Sequence, residues 1–149
     1  MIEKSVLLAC VPERAFTLFT ERASDWWPAP LRHTGDERSE IRMLAGGRFW
    51  ERATDGREVE LGRVTAWEPP VRLILDFYPG TDEQHPTEVV VSFADEGHGT
   101  RVSVEHRPKT ESAELWADGA PRFARSWDLM LDALAQAATQ VTQVLPSPR

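Results

Sequence analysis

The residues with acid/base chemistry available to them are few. His106 ends an alternating run in which Val102 and Val104 share its parity, so it faces the side those aliphatic residues face. Facing a cavity, an imidazole is a polar anchor or a proton carrier that titrates near neutrality. Its plainer use is a strand-end histidine bonded to neighbouring backbone. Glu51 shares parity with Phe49 in the run Gly46-Gly47-Arg48-Phe49-Trp50-Glu51. If Phe49 points inward, the carboxylate follows it and needs a partner or a raised pKa. If Trp50 points inward instead, Glu51 is solvated. The pattern leaves both orientations open.

The large apolar side chains suit binding better than catalysis. Trp26-Trp27 offer a wall or lid of apolar area with an N–H donor on each ring, or a staple that fastens the first helices to the core. Trp116, Phe123, Trp127 and Met130 offer a second wall late in the chain, and Met43, Phe49, Leu75 and Phe77 offer strand positions toward it. Core packing is the ordinary use of such stripes. These residues, with Glu51 and His106, are the candidate ligand contacts. No metal or cofactor is expected. His33, His85, His98 and His106 are dispersed, Cys10 stands alone, and no helical ligand pair occurs. Gly-x-Ser-x-Gly elbows, Walker loops and dinucleotide fingerprints are missing too.

Composition narrows the partners. A chain of 149 residues with 41% hydrophobic and 28% charged residues reads as one soluble globular domain, 1–149. A net charge of −7 argues against nucleic acid and against an anionic membrane surface. The single cysteine excludes an internal disulfide. The first residues are too short and too charged for a secretory signal, and no run reaches the ~20 apolar residues of a membrane helix. The expected setting is the cytoplasm, as a monomer or homodimer.

The elements that position these side chains follow from period. Ile2 to Ala9 reads as a strand. Pro12 then opens a helical segment with apolar residues Ala15, Phe16, Phe19, Ala23 and Trp26/Trp27, ended by Trp27-Pro28-Ala29-Pro30. Arg38 to Leu44 alternates, with Ser39, Ile41 and Met43 on one face. Asp55-Gly56 turns a hairpin between the run around Phe49 and the long run Glu58 to Trp67, and Gly62 inside that run marks a bulge or a close approach. Three further alternating runs follow: Val71 to Phe77, Thr87 to Phe93, and Arg101 to His106. From Pro121 the period becomes helical, with Phe123, Trp127, Met130/Leu131, Leu134, Ala138, Val141 and Leu145 on one face until Pro146-Ser147-Pro148. Strand, helical segment, about six antiparallel strands and a long final helix make an α+β domain.

Several pieces in this order resemble a known family. They are Pro12-Glu13-Arg14-Ala15-Phe16, Trp26-Trp27-Pro28, Gly46-Gly47-Arg48-Phe49, Asp55-Gly56, Gly62-Arg63-Val64 leading to Trp67-Glu68-Pro69-Pro70, Thr87-Glu88-Val89, Gly99-Thr100-Arg101-Val102 and Glu105-His106. The chain is similar to the START-like (SRPBCC) superfamily with the helix-grip fold, and within it to the family related to the activator of heat-shock protein 90 ATPase. The resemblance implies a curved sheet of about seven strands gripping the last helix, two short helices after the first strand, and an apolar cavity between sheet and helix. It implies a hydrophobic small-molecule ligand and a bacterial source. Two alternatives stand beside binding: an enzyme of cyclase/aromatase or hydrolase type using His106, with or without Glu51, and a regulator of a chaperone ATPase.

Overall fold

Seven antiparallel strands carry the alternating runs: β1 (Ile2–Leu8), β2 (Glu40–Met43), β3 (Arg48–Arg52), β4 (Glu58–Glu68), β5 (Arg72–Phe77), β6 (Thr87–Asp95) and β7 (Thr100–Pro108). This is a computed structural model that describes residues 1–144, with side chains through residue 139. The sheet order is β1-β7-β6-β5-β4-β3-β2, a meander whose last strand takes the first as its neighbour. Helix α1 (Pro12–Phe19) and short 3₁₀ turns at Ala23–Asp25 and Ala29–Leu31 follow β1. Helix α2 (Trp116–Val144) closes the described chain.

Alternation explains the strands. In β5 the pattern buries Leu73, Leu75 and Phe77, and in β7 it buries Val102, Val104 and His106. Apolar burial of this kind contributes about 1.5–3 kcal/mol for each large side chain. The inner face receives one stripe of α2, in which Phe123, Trp127, Met130, Leu131, Leu134 and Ala138 are buried. Lys4 on β1 reaches Asp128 on α2 at 2.9 Å. The expected continuation of that face at Val141 and Leu145, and the stop at Pro146-Ser147-Pro148, lie outside the described side chains.

α2 begins five residues before the Pro121 start that the period suggests. A 3₁₀ segment, Thr110–Leu115, leads into it, anchored where the Ser112 hydroxyl donates to the Pro86 carbonyl at 2.8 Å. The first turns hide their face because its members are a half-buried ring and a buried glycine: Trp116 packs on Phe123 at 5.5 Å, and Gly119 lies under the Phe123 ring. Pro121 is tolerated inside the helix at the loss of one N–H.

Gly62 bends the sheet. It stands opposite both Phe49 and Phe77 in the ladders, and the β3–β4 register shifts beside it. A Cβ there would lie 2.0 Å from the Asp76 carbonyl oxygen and 3.2 Å from Phe49 Cδ2. With no side chain between them, the two phenyl rings stack across the glycine at 6.3 Å.

Candidate functional site

Phe49, Trp50 and Glu51 are all buried, yet they do not share a face. Phe49 and Glu51 point inward. Trp50 lies on the outer face beneath the Arg48 guanidinium, 4.3 Å from its ring, and Arg48 also pairs with Glu58 and Glu60. The carboxylate therefore does enter the molecule, but it meets backbone there. The His33 N–H donates to Glu51 Oε1 at 2.7 Å, and the Thr34 N–H and hydroxyl donate to Oε2 at 3.0 and 2.6 Å. Burial pushes the Glu51 pKa up, but these hydrogen bonds outweigh it and hold the group below its ordinary value. Glu51 is an ionised latch on the loop that follows the 3₁₀ turn at Ala29–Leu31.

Two more fastenings hold that loop. The Arg32 guanidinium donates to the carbonyls of Trp27, Ser24 and Ser39. The Asp36 carboxylate accepts from Thr54 N–H at 2.8 Å and from its hydroxyl at 2.7 Å, tying the loop to the β3–β4 hairpin. The segment from Trp27 to Asp36 is thus a fixed wall.

His106 is wholly buried, and both its nitrogens are committed. The Trp127 indole N–H donates to Nδ1 at 3.0 Å, which fixes the proton on Nε2. That nitrogen meets the Thr87 hydroxyl at 2.7 Å, and the hydroxyl lies 3.1 Å from the Phe77 carbonyl that accepts from it. Rings of Phe77, Trp116 and Phe123 surround the imidazole at 5.3, 5.2 and 4.5 Å. Desolvation by this cage, then the charge of the N-terminal amine, lowers its pKa to about 3. A neutral imidazole with both nitrogens bonded has neither an unengaged proton nor a free lone pair at neutral pH. The expectation of a group titrating near neutrality is corrected: His106 fastens α2 to β6 and β7.

The cavity lies one layer away. It is a half-open cleft of about 200 Å³ between Trp27, Pro30, Leu31, Arg32, His33, Phe77, Pro79-Gly80 and the α2 residues Arg122, Phe123, Ser126, Trp127 and Met130. Of the expected contacts, Trp27, Phe77, Phe123, Trp127 and Met130 meet there. Trp26, Met43, Phe49, Glu51, Leu75, His106 and Trp116 do not line it. Trp26 is the staple, its N–H bonded to the Leu18 carbonyl at 2.7 Å. Met43 and Phe49 pair across β2 and β3, Leu75 lies between Val64 and Val89, and Trp116 backs onto His106. The two adjacent tryptophans have separate jobs, and the Trp27 indole N–H is buried with no partner among the described residues.

Sequence reasoning missed the mouth: Pro30, Leu31, Arg32, His33, Pro79, Gly80, Arg122 and Ser126. These come from loops and from a polar helix flank, where no apolar period marks them. Pro79-Gly80 was legible as a turn but not as a wall. Gly80 sits at φ +84, and a Cβ there would stand 2.3 Å from Phe123 Cε1, so backbone lies directly on that ring. A second, more open groove of about 370 Å³ adjoins across the same Pro79-Gly80 segment and shares His33; Glu60, Tyr78, Asp82 and Glu83 line it. Among the described residues no group of His, Cys, Asp and Glu is arranged to hold a metal.

Comparison with known proteins agrees with this architecture. The family model for Activator of Hsp90 ATPase homolog 1-like protein matches residues 9–139. No curated protein matches the chain by sequence. Among solved structures, a Rhodobacter sphaeroides protein superposes with a TM-score of 0.67 at 23% identity, over 93% of this chain and 91% of that one. A Nitrosomonas europaea protein gives 0.67 at 14% identity, over 95% and 96%. CalU16 from Micromonospora echinospora gives 0.58 at 17% identity, over 89% and 70%. At these identities the likeness is one of fold.

Proposed function

We propose, from the premise that this chain belongs to the Activator of Hsp90 ATPase homolog 1-like family of START-like domains, that it binds a small apolar, ring-containing molecule. One observation carries the reading: a cavity of about 200 Å³ walled by Trp27, Phe77, Phe123, Trp127 and Met130, with the Trp27 indole N–H buried and without an acceptor among the described residues. An apolar cavity of about 150 Å³ is enough for benzene, so this one suits one or two fused rings rather than a sterol. The fastened loop from Trp27 to Asp36 supports the reading, since a preformed wall reduces the ordering cost of binding.

Titration calorimetry and thermal shift with indole, naphthol and naphthoate test it. A ligand at a hundred times its Kd stabilises the fold by about 2.7 kcal/mol, a readily measured rise in Tm. The variant Met130→Trp fills the cavity from α2 and is expected to abolish binding while the circular dichroism spectrum stays folded. If no ring compound shifts the wild-type Tm, or if Met130→Trp binds as well as wild type, the reading is wrong. Acid/base catalysis by His106 and Glu51 draws no support from this geometry, because both groups are consumed by internal hydrogen bonds.

A further inference from the structure

The charges around the cavity are arranged unevenly. Resting on the binding reading above, we infer that its ligand is an aromatic acid, the rings held between Trp27, Phe77 and Trp127 and the anionic group drawn to Arg122 at the mouth. Arg122 is exposed on the flank of α2 and contributes to the cavity lining. No carboxylate among the described residues stands within ion-pair distance of it, whereas Arg48, Arg57, Arg72, Arg101 and Arg107 each have at least one. Ser126 lies four residues on, on the same helix face and on the same lining, and adds a hydroxyl beside the guanidinium.

Arg32, the other cation of the wall, is spoken for. Carbonyl oxygens take its donors, and the charges of Glu51, Asp36 and Glu37 act on it. Arg122 is left to meet a ligand. A planar guanidinium offers two parallel N–H donors to a carboxylate, a fit that a point charge does not give. The whole chain carries −7, so an anion gains nothing from the general field and must be drawn by this local charge. Beyond Pro79-Gly80 the sign reverses: Glu60, Asp82 and Glu83 line the adjoining groove. A carboxylate is repelled from that side, which leaves one orientation, rings inward and acid toward α2.

The test uses three ligands of one shape: 2-naphthoate, 2-naphthol and 2-naphthylmethylammonium. Affinities are read from tryptophan fluorescence on the full chain at neutral pH. Naphthoate is expected to bind roughly two- to five-fold tighter than naphthol, with the ammonium weakest, as one exposed ion pair predicts. Roughly 0.5 M salt shrinks the gap. In Arg122→Met the naphthoate-to-naphthol gap closes, and in Arg122→Glu it inverts; circular dichroism reports that both variants fold. Naphthol and naphthoate binding equally to the wild type, or a preference that survives Arg122→Met, overturns the inference while leaving the binding reading standing. If none of the three binds, both are overturned.

Discussion

Replacing Glu51 by glutamine tests the account of the cavity wall most directly. The wild-type carboxylate accepts three hydrogen bonds of 2.6–3.0 Å from His33 and Thr34, and it is fully buried. Glutamine keeps one acceptor oxygen and sets an NH₂ group against N–H or O–H donors on the other side. At least one donor is left unsatisfied in a dry site, and bonds to a charged acceptor become bonds to a neutral one. Each of these changes costs about 1–3 kcal/mol, so Glu51→Gln is expected to lose about 2–4 kcal/mol. For a domain of this size that lowers Tm by roughly 5–15 °C. The loss also depends on pH. Because the folded pKa lies below the unfolded one, the stabilisation is complete above the unfolded carboxyl value of about 4.3 and is lost as pH falls through the folded value. Melting curves from pH 7 downward should therefore show the wild type and the variant converging in acid. A variant that melts within about 2 °C of wild type at pH 7, or a gap that stays constant into acid, would refute the latch.

The remaining expectations concern the aromatic layer. Trp26→Phe loses the bond to the Leu18 carbonyl and should cost about 1–2 kcal/mol more in urea unfolding than Trp27→Phe, whose N–H has no acceptor among the described residues to lose. His106→Leu strands the Trp127 N–H and takes away the N–H that the Thr87 hydroxyl accepts, while that hydroxyl keeps the Phe77 carbonyl, so a loss of about 2–4 kcal/mol at pH 7 is expected by chemical denaturation. The same variant should flatten the acid limb of the Tm profile. With the folded pKa lowered to about 3, wild type loses stability as pH falls from about 6.5 toward that value, because the unfolded chain takes up the proton first. Nitrogen NMR shifts of His106 that titrate near pH 6 would contradict this. Gly62→Ala drives a Cβ into the Asp76 carbonyl and should leave little folded protein by circular dichroism, whereas Gly56→Ala, strained only in φ with open space around it, should fold.

The fold was legible because strand and helix periods are local. Val102, Val104 and His106 share a face by parity alone, and the α2 stripe from Phe123 to Ala138 repeats often enough to be read without a partner. The need for a glycine at position 62 was equally visible, although only the ladders show that two phenyl rings stack over it. Parity also showed that Glu51 travels with Phe49. It could not show which of the two faces is the inner one, because large residues occupy both.

What remained hidden is what side chains do once they are inside. Periodicity brings His106 into the interior, but whether its nitrogens are free depends on Trp127 and Thr87, which are 21 and 19 residues away along the chain. Trp26 and Trp27 are identical in composition and adjacent in sequence, yet one is bonded to Leu18 and the other walls the cavity. The cavity is assembled from three segments, around Trp27–His33, Phe77–Gly80 and Arg122–Met130, that meet only after the sheet has bent at Gly62 and α2 has docked. Hydrophobic alternation depends on a residue and its near neighbours, so it survives in the linear chain. A void, a satisfied imidazole and an unpaired guanidinium are properties of distances between remote residues, and only the tertiary packing sets those.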